Sequence, residues 1–209
     1  MKNEDLQSHW NTAYGRTETE KLGWYEESCA PSLDLIKQCN LEKNATIINV
    51  GSGATLLIDE LIELGYHDLI ATDISENALN KIKTRLGVNT DKVKFIVDDL
   101  TNSKILQHTE PVDLWHDRAV LHFFNTKDEQ NAYFDLLHKL VKPKGYAIIA
   151  TFNLSGALKC SGLPVYRYDE KMITKKIGKD FELIQNFDYT FHNPSGDTRA
   201  YIYTLFRRK

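Results

Sequence analysis

Ile47-Ile48-Asn49-Val50-Gly51-Ser52-Gly53-Ala54-Thr55 decides how this chain is read. An apolar run ends in two closely spaced glycines and gives way at once to helical periodicity, the pattern of a strand that turns sharply into a helix. Glycine suits such a turn because its dihedrals resist a side chain and because a ligand there must approach the backbone closely. Backbone N–H groups then face that ligand. Short Gly-x-Gly strings also occur in turns that bind nothing, so the flanking segments carry the decision.

Downstream, strands and helices alternate. Thr46–Val50 reads as a buried strand, Leu56–Leu64 as a helix closed by Gly65, and Asp68–Ile74 as a second strand. Ser75 is placed to cap a helix over Glu76–Leu86, followed by strands over Lys92–Val97 and Val112–His116. A helix over Lys127–Val141 stops before Pro143, and the Lys142-Pro143-Lys144-Gly145 turn leads into a fifth strand, Tyr146–Phe152. After a short helix near Glu170–Ile177, two alternating runs, Phe181–His192 and Arg199–Phe206, flank the turn-rich Asn193-Pro194-Ser195-Gly196-Asp197. The pattern predicts a mostly parallel α/β sheet with helices on both faces, closed by a C-terminal antiparallel hairpin. Upstream, Leu6, Trp10 and Tyr14 have helical spacing, and a second helix is expected over Ser32–Cys39 with Pro31 near its first turn.

With 209 residues, 42% of them apolar, the chain fits one domain over 1–209. A formal charge of −3 gives no electrostatic reason to expect nucleic acid. Cys29, Cys39 and Cys160 are odd in number and lack paired spacing, which suggests neither a disulfide framework nor a metal site. A reducing, cytoplasmic setting is expected, without a membrane-spanning run.

The order of elements resembles the class I S-adenosylmethionine-dependent methyltransferases, in particular methyltransferase-domain proteins of bacterial type whose acceptor is unassigned. The resemblance covers Thr46 to Arg207. It implies a Rossmann-like seven-stranded sheet over 45–209, an N-terminal helical lid over 1–40, and S-adenosyl-L-methionine as cofactor. It also implies that Asn49, Gly51, Ser52 and Gly53 meet the methionine half of that cofactor. Asp73 and Ile74 then serve the ribose and adenine, and Asp98-Asp99-Leu100 the adenine amino group. The family has an acid where Asn49 stands and a third glycine where Thr55 stands. The acids also have structural readings: Asp73 as a cap for the Ser75 turn, Asp98 or Asp99 as the opening of a helix.

Chemistry is expected in Trp115-His116-Asp117-Arg118-Ala119-Val120-Leu121-His122, where ionisable groups crowd an apolar run and must pair, meet solvent or meet a ligand. His116, Asp117, Arg118 and His122 are the catalytic candidates, with His116 also facing the cofactor. Either histidine titrates in the range a general base needs, and Asp117 is able to orient an imidazole. The alternative is an Asp117–Arg118 brace beside a core-packed His122. Asn153, Lys159, Cys160 and Arg167 sit where a substrate-facing rim is expected. Trp10 and Trp24 read either as part of a lid over the cofactor or as the apolar stripe of a packing helix. The expected activity is methyl transfer to a small-molecule acceptor by in-line displacement. A protein-lysine methyltransferase and a non-catalytic cofactor-binding domain are the alternatives.

Overall fold

The computed structural model describes residues 3–209; Met1 and Lys2, where the expected lid begins, lie outside them. In chain order the elements are α1 (Asn3–Arg16), α2 (Ala30–Gln38), β1 (Thr46–Val50), α3 (Leu57–Glu63), β2 (Asp68–Asp73), α4 (Glu76–Leu86) and β3 (Val93–Val97). They continue with β4 (Val112–Arg118), α5 (Lys127–Leu140), β5 (Val141–Phe152), β6 (Lys159–Cys160), β7 (Leu163–Pro164), α6 (Glu170–Ile177), β8 (Phe181–His192) and β9 (Thr198–Arg208).

Seven strands form one sheet in the order β3-β2-β1-β4-β5-β9-β8. The pairs from β3 to β5 are parallel, and β9 and β8 close the edge antiparallel, as the sequence pattern predicts. Alternation along each strand builds two cores. Ile47, Leu69, Ala71 and Leu114 share one with Leu35 and Ile36 of α2, Leu57, Ile58 and Leu61 of α3, and Leu79 and Ile82 of α4. Ile48, Val50, Ile70 and Trp115 share the other with Tyr133, Phe134 and Leu137 of α5 and Ile173 and Ile177 of α6. Helices therefore cover both faces, each such apolar side chain contributing about 1.5–3 kcal/mol by leaving water.

Local chemistry sets the helix starts. Ser75 Oγ accepts from Ala78 N–H at 3.2 Å, Asp169 accepts from Met172 N–H at 2.7 Å, and Thr126 and Glu129 form a reciprocal capping box on α5. Most boundaries fall within one or two residues of expectation, and two differ in ways that reshape their surroundings. Strand β4 runs on to Arg118 instead of ending at His116, because it pairs with β5 through Asp117↔Ile149 and Arg118↔Ala150. Strand β5 starts at Val141, directly after α5: the expected Lys142–Gly145 turn is absorbed into it, with Lys144 at φ 67° and a register shift opposite Val112 and Leu114. The short β6–β7 hairpin, carrying Lys159 and Cys160, was not expected from the pattern.

The turn after β1 positions the site. Gly51 has φ 55°, and a Cβ there would stand 2.0 Å from Val120 Cγ2. Gly51→Ala should therefore cost about 2–4 kcal/mol through combined backbone strain and overpacking. Urea denaturation at neutral pH checks this, and a loss under 1 kcal/mol would contradict the geometry.

Candidate functional site

The carboxyl edge of β3, β2, β1 and β4 opens into one cavity, walled on its far side by α1 and the segment before α2. Its lining includes Asn49, Gly51, Ser52, Gly53, Asp73, Ile74, Asp98, Asp99, Leu100, His116, Arg118, Cys160, Trp10 and Trp24. The structure thus gathers every expected cofactor-facing residue in one place.

Asp73 ends β2 with both oxygens committed to turns. Oδ2 accepts from Gly53 N–H and Oδ1 from Ser75 N–H, each at 2.8 Å, and burial pushes the carboxyl up to about 6 against those bonds. The structural reading of this acid holds, since it braces the two turns, and the same side chain lines the cavity. Asp98 organises the loop after β3, accepting from Asp99, Lys104, Ile105 and Leu106 N–H and from Ser103 Oγ. Burial would raise its carboxyl, but these donors hold it below the usual range. Asp99 binds Thr101 twice through Oδ1, whereas its Oδ2 is buried without a partner, as is Thr72 Oγ1 on the same wall. Unpartnered buried acceptors are costly. A ligand with N–H or O–H donors at this end would satisfy them, which suits a nucleoside.

The aromatic wall is edge-packed. Trp10 meets Trp24 at 5.4 Å and Phe123 at 5.1 Å between ring centroids, and Trp24 Nε1 donates to Tyr14 Oη at 2.8 Å. A Cβ on Gly53, which has φ 56°, would lie 2.4 Å from that same Oη. Tyr14 therefore rests directly on the glycine turn. Burial, with the Asp73 charge, keeps its phenol protonated well above its ordinary range.

Alternation along β4 sends its polar residues to opposite faces. His116 points with Asn49, its register partner, toward α2: Nδ1 lies 2.9 Å from Asn49 Oδ1 and Nε2 2.8 Å from Ser32 Oγ. The amide oxygen can only accept, so Nδ1 carries the proton and Ser32 Oγ donates to Nε2. Burial, helped by the Arg118 charge, keeps this imidazole neutral down to about 3. Asp117 faces the other way. It accepts from Tyr133 Oη at 2.7 Å, Val120 N–H at 3.0 Å and Leu121 N–H at 3.1 Å, and does not line the cavity. It contacts neither His116 nor Arg118 as expected from sequence; burial pushes its carboxyl up to about 7.

Arg118 returns to the cavity face. Its Nε lies 2.9 Å from Glu26 Oε1 and donates to Tyr203 Oη at 3.2 Å, Nη1 donates to the Trp24 carbonyl, and Nη2 is buried without a partner. Phe191 and Tyr201 stack beneath the guanidinium at 4.8 and 5.0 Å. Burial raises the Glu26 carboxyl to about 7, with Arg118 opposing.

The remaining candidates scatter. His122 sits in the core between Phe123 and Phe152, its Nδ1 accepting from Phe152 N–H at 3.4 Å and its Nε2 unpartnered, outside the cavity lining. Asn153 donates to Asp188, and Arg167 braces the Leu154 and Gly156 carbonyls; neither lines the cavity, nor does Lys159. Cys160 does, with burial raising its thiol to about 11, so it is protonated rather than a thiolate. Glu26, Ser32, Thr72 and Val120 are among the lining residues that sequence reasoning did not single out. Only Glu26 had a signal: a carboxylate directly after the aromatic pair Trp24-Tyr25.

A family model described as "Methyltransferase domain" matches residues 41–205. Over 116 residues, 56% of this chain, the sequence is 28% identical to the eEF1A lysine and N-terminal methyltransferase of Mus musculus, and the match spans 16% of that protein's length. A SAM-dependent methyltransferase from Anabaena variabilis superposes with a TM-score of 0.78 at 12% identity, covering 99% of this chain and 95% of that one. The 1,6-didemethyltoxoflavin-N1-methyltransferase of Burkholderia thailandensis, bound to 1,6-didemethyltoxoflavin and S-adenosylhomocysteine, superposes with a TM-score of 0.70 at 17% identity, covering 99% and 87%. At these identities the two structures speak for the fold.

His122 supplies a test of the core reading. Burial, with the Arg118 charge, lowers its folded value to about 3, whereas an unfolded imidazole protonates near 6.5. The unfolded chain therefore binds more protons between these values. The stability His122 contributes is complete above pH 6.5 and is lost as pH falls toward 3. His122→Phe removes that dependence, so its stability relative to wild type should improve by on the order of 2 kcal/mol from pH 7 to pH 4.5. Paired thermal melts at the two pH values measure it; a constant difference would place His122 in water.

Proposed function

The chain belongs to the methyltransferase-domain family, and on that premise we propose that it uses S-adenosylmethionine to methylate a small-molecule acceptor within the cavity at the ends of β1 and β4. When bound, the cofactor supplies an electrophilic methyl on a sulfonium, whose displacement loses a positive charge. The protein's part is alignment and exclusion of water. Asp98, Asp99, Leu100 and Ile74 take the adenine end, Asp73 the ribose, and Gly51, Ser52, Gly53 and Asn49 the methionine end. Residues 1–40 act as the lid of a single domain, with Trp10, Tyr14 and Trp24 as its inner surface. Neither imidazole serves as the general base in this reading: His116 spends both nitrogens on Asn49 and Ser32, and His122 lies in the core.

The observation that carries the acceptor class is the aromatic wall. Trp10, Trp24 and Phe123 pack edge to face along a mostly apolar cavity. A compact molecule enters such a space whole, whereas a protein must thread one side chain past the same rings. A protein-lysine acceptor is the second reading, favoured by the 28% identity to the mouse eEF1A methyltransferase.

Incubation with methyl-labelled S-adenosylmethionine and a cell extract split into low-mass and protein fractions separates the readings. Label is expected in a low-mass product. Label on protein lysine would favour the second reading, and binding without label in either fraction would mean that the fold no longer performs transfer. Asp99→Ala should weaken S-adenosylhomocysteine roughly tenfold, through loss of one charge-assisted hydrogen bond. Calorimetry giving wild-type affinity would remove Asp99 from the adenine end.

A further inference from the structure

We infer that Glu26 and Arg118 together receive the α-amino-acid end of the methyl donor, Arg118 taking its carboxylate and Glu26 its ammonium. The inference rests on the donor placement proposed above.

The strand order supplies the first argument. Along one edge of the sheet stand Asp98 and Asp99 after β3, Asp73 at the end of β2, the Gly51–Gly53 turn after β1, and Arg118 at the end of β4. Val50 is in register with Asp117, so Arg118 lies beside Gly51. The donor is likewise linear, with a nucleoside at one end and a zwitterion at the other. Acids that accept from adenine and ribose occupy one end of the row; the other must answer one carboxylate and one ammonium.

Charge supplies the second argument. Asn49 is neutral and is bonded to a neutral His116, so neither offers a counter-charge. Among the described residues, the charged side chains lining this end are Glu26 and Arg118. Glu26 comes from a different segment, where Cys29 Sγ lies 3.6 Å from Thr55 Oγ1 and ties the chain before α2 to the glycine turn. A pair with no net charge that meets a zwitterion leaves none behind, which avoids the cost of an isolated buried ion.

The third argument is an unused donor. Arg118 commits Nε and Nη1 to Glu26, Tyr203 and the Trp24 carbonyl, and Nη2 has no partner. Its side chain is 10% exposed and that of Glu26 6%. A guanidinium nitrogen so placed is matched by an anionic oxygen, and the Glu26 carboxylate has lone pairs beyond the one that faces Nε.

The pair should therefore distinguish S-adenosylhomocysteine from 5′-methylthioadenosine, which has the nucleoside and thioether but no amino acid. Calorimetry with the full chain is expected to show wild type binding the former about a hundredfold more tightly. Arg118→Met should weaken S-adenosylhomocysteine by tens of fold and leave 5′-methylthioadenosine within about threefold, with Glu26→Gln acting in the same sense at about tenfold. Arg118→Met leaves a buried carboxylate alone, so the double variant Glu26→Gln/Arg118→Met, which removes both charges, is measured beside it after a ligand-free melt. The inference is overturned if wild type binds the two ligands alike, if folded variants keep the preference, or if both ligands weaken equally. Wild type that binds no S-adenosylhomocysteine would overturn the donor cavity itself.

Discussion

A neutral imidazole holds the site together. His116 joins β4 to β1 through Asn49 and to α2 through Ser32, with all three side chains buried. Burial keeps the ring uncharged, and with a neutral ring the donors run in one direction: Ser32 gives its proton to Nε2, and Nδ1 gives its own to an amide oxygen. A carboxylate at position 49 would draw the ring toward imidazolium and place two charges in an apolar layer. The asparagine and the neutral histidine are thus one adaptation. The glycine turn that follows Asn49 inherits its position from this bond network, because Ser52 Oγ donates back to the Asn49 carbonyl at 2.7 Å.

The second constraint is the two-residue period of β4. By continuing through Arg118, the strand sends His116 and Arg118 to the cavity face and Asp117 to the helix α5 face. Each ionisable group then meets a separate set of partners. Asp117 gathers two backbone N–H groups and Tyr133 to fix the turn carrying Val120, and Val120 in turn fills the space beside Gly51. Asp117 serves the cavity from behind, through packing and not through contact.

How much of this was legible in the sequence depends on where the information lies. Helix α4 over Glu76–Leu86 and α6 over Glu170–Ile177 fall on the expected residues because local caps define them. The glycines, Asp73 and the Asp98-Asp99 pair were legible because strand ends announce themselves by a change of period. The end of β4 was not, since whether Asp117 and Arg118 pair with β5 depends on a neighbour thirty residues away. With that boundary undetermined, the faces of Asp117 and Arg118 were undetermined too. Glu26 was illegible for a stronger reason: its meaning comes entirely from Arg118, 92 positions later in the chain.

Glycine at positions 51 and 53 was expected from a ligand's close approach, and the structure gives a further cause. The space a Cβ would need is held by Val120 at one position and Tyr14 at the other. Tyr14 belongs to α1, the Trp24 carbonyl caps Arg118, and Glu26 pairs with it. The N-terminal segment is therefore part of the cavity's construction as well as its proposed lid. Its remaining ties are polar and largely at the surface, such as Gln7 to the Ile74 carbonyl and Asn11 to Ser75 and Asn77. Such bonds are individually modest, about 0.5–1.5 kcal/mol each. Movement of α1 away from α4 would lift Tyr14 off the glycine turn and break the Trp24–Tyr14 hydrogen bond that ties α1 to the segment whose carbonyl covers Arg118. The wall and the turn consequently form, or come apart, as a unit.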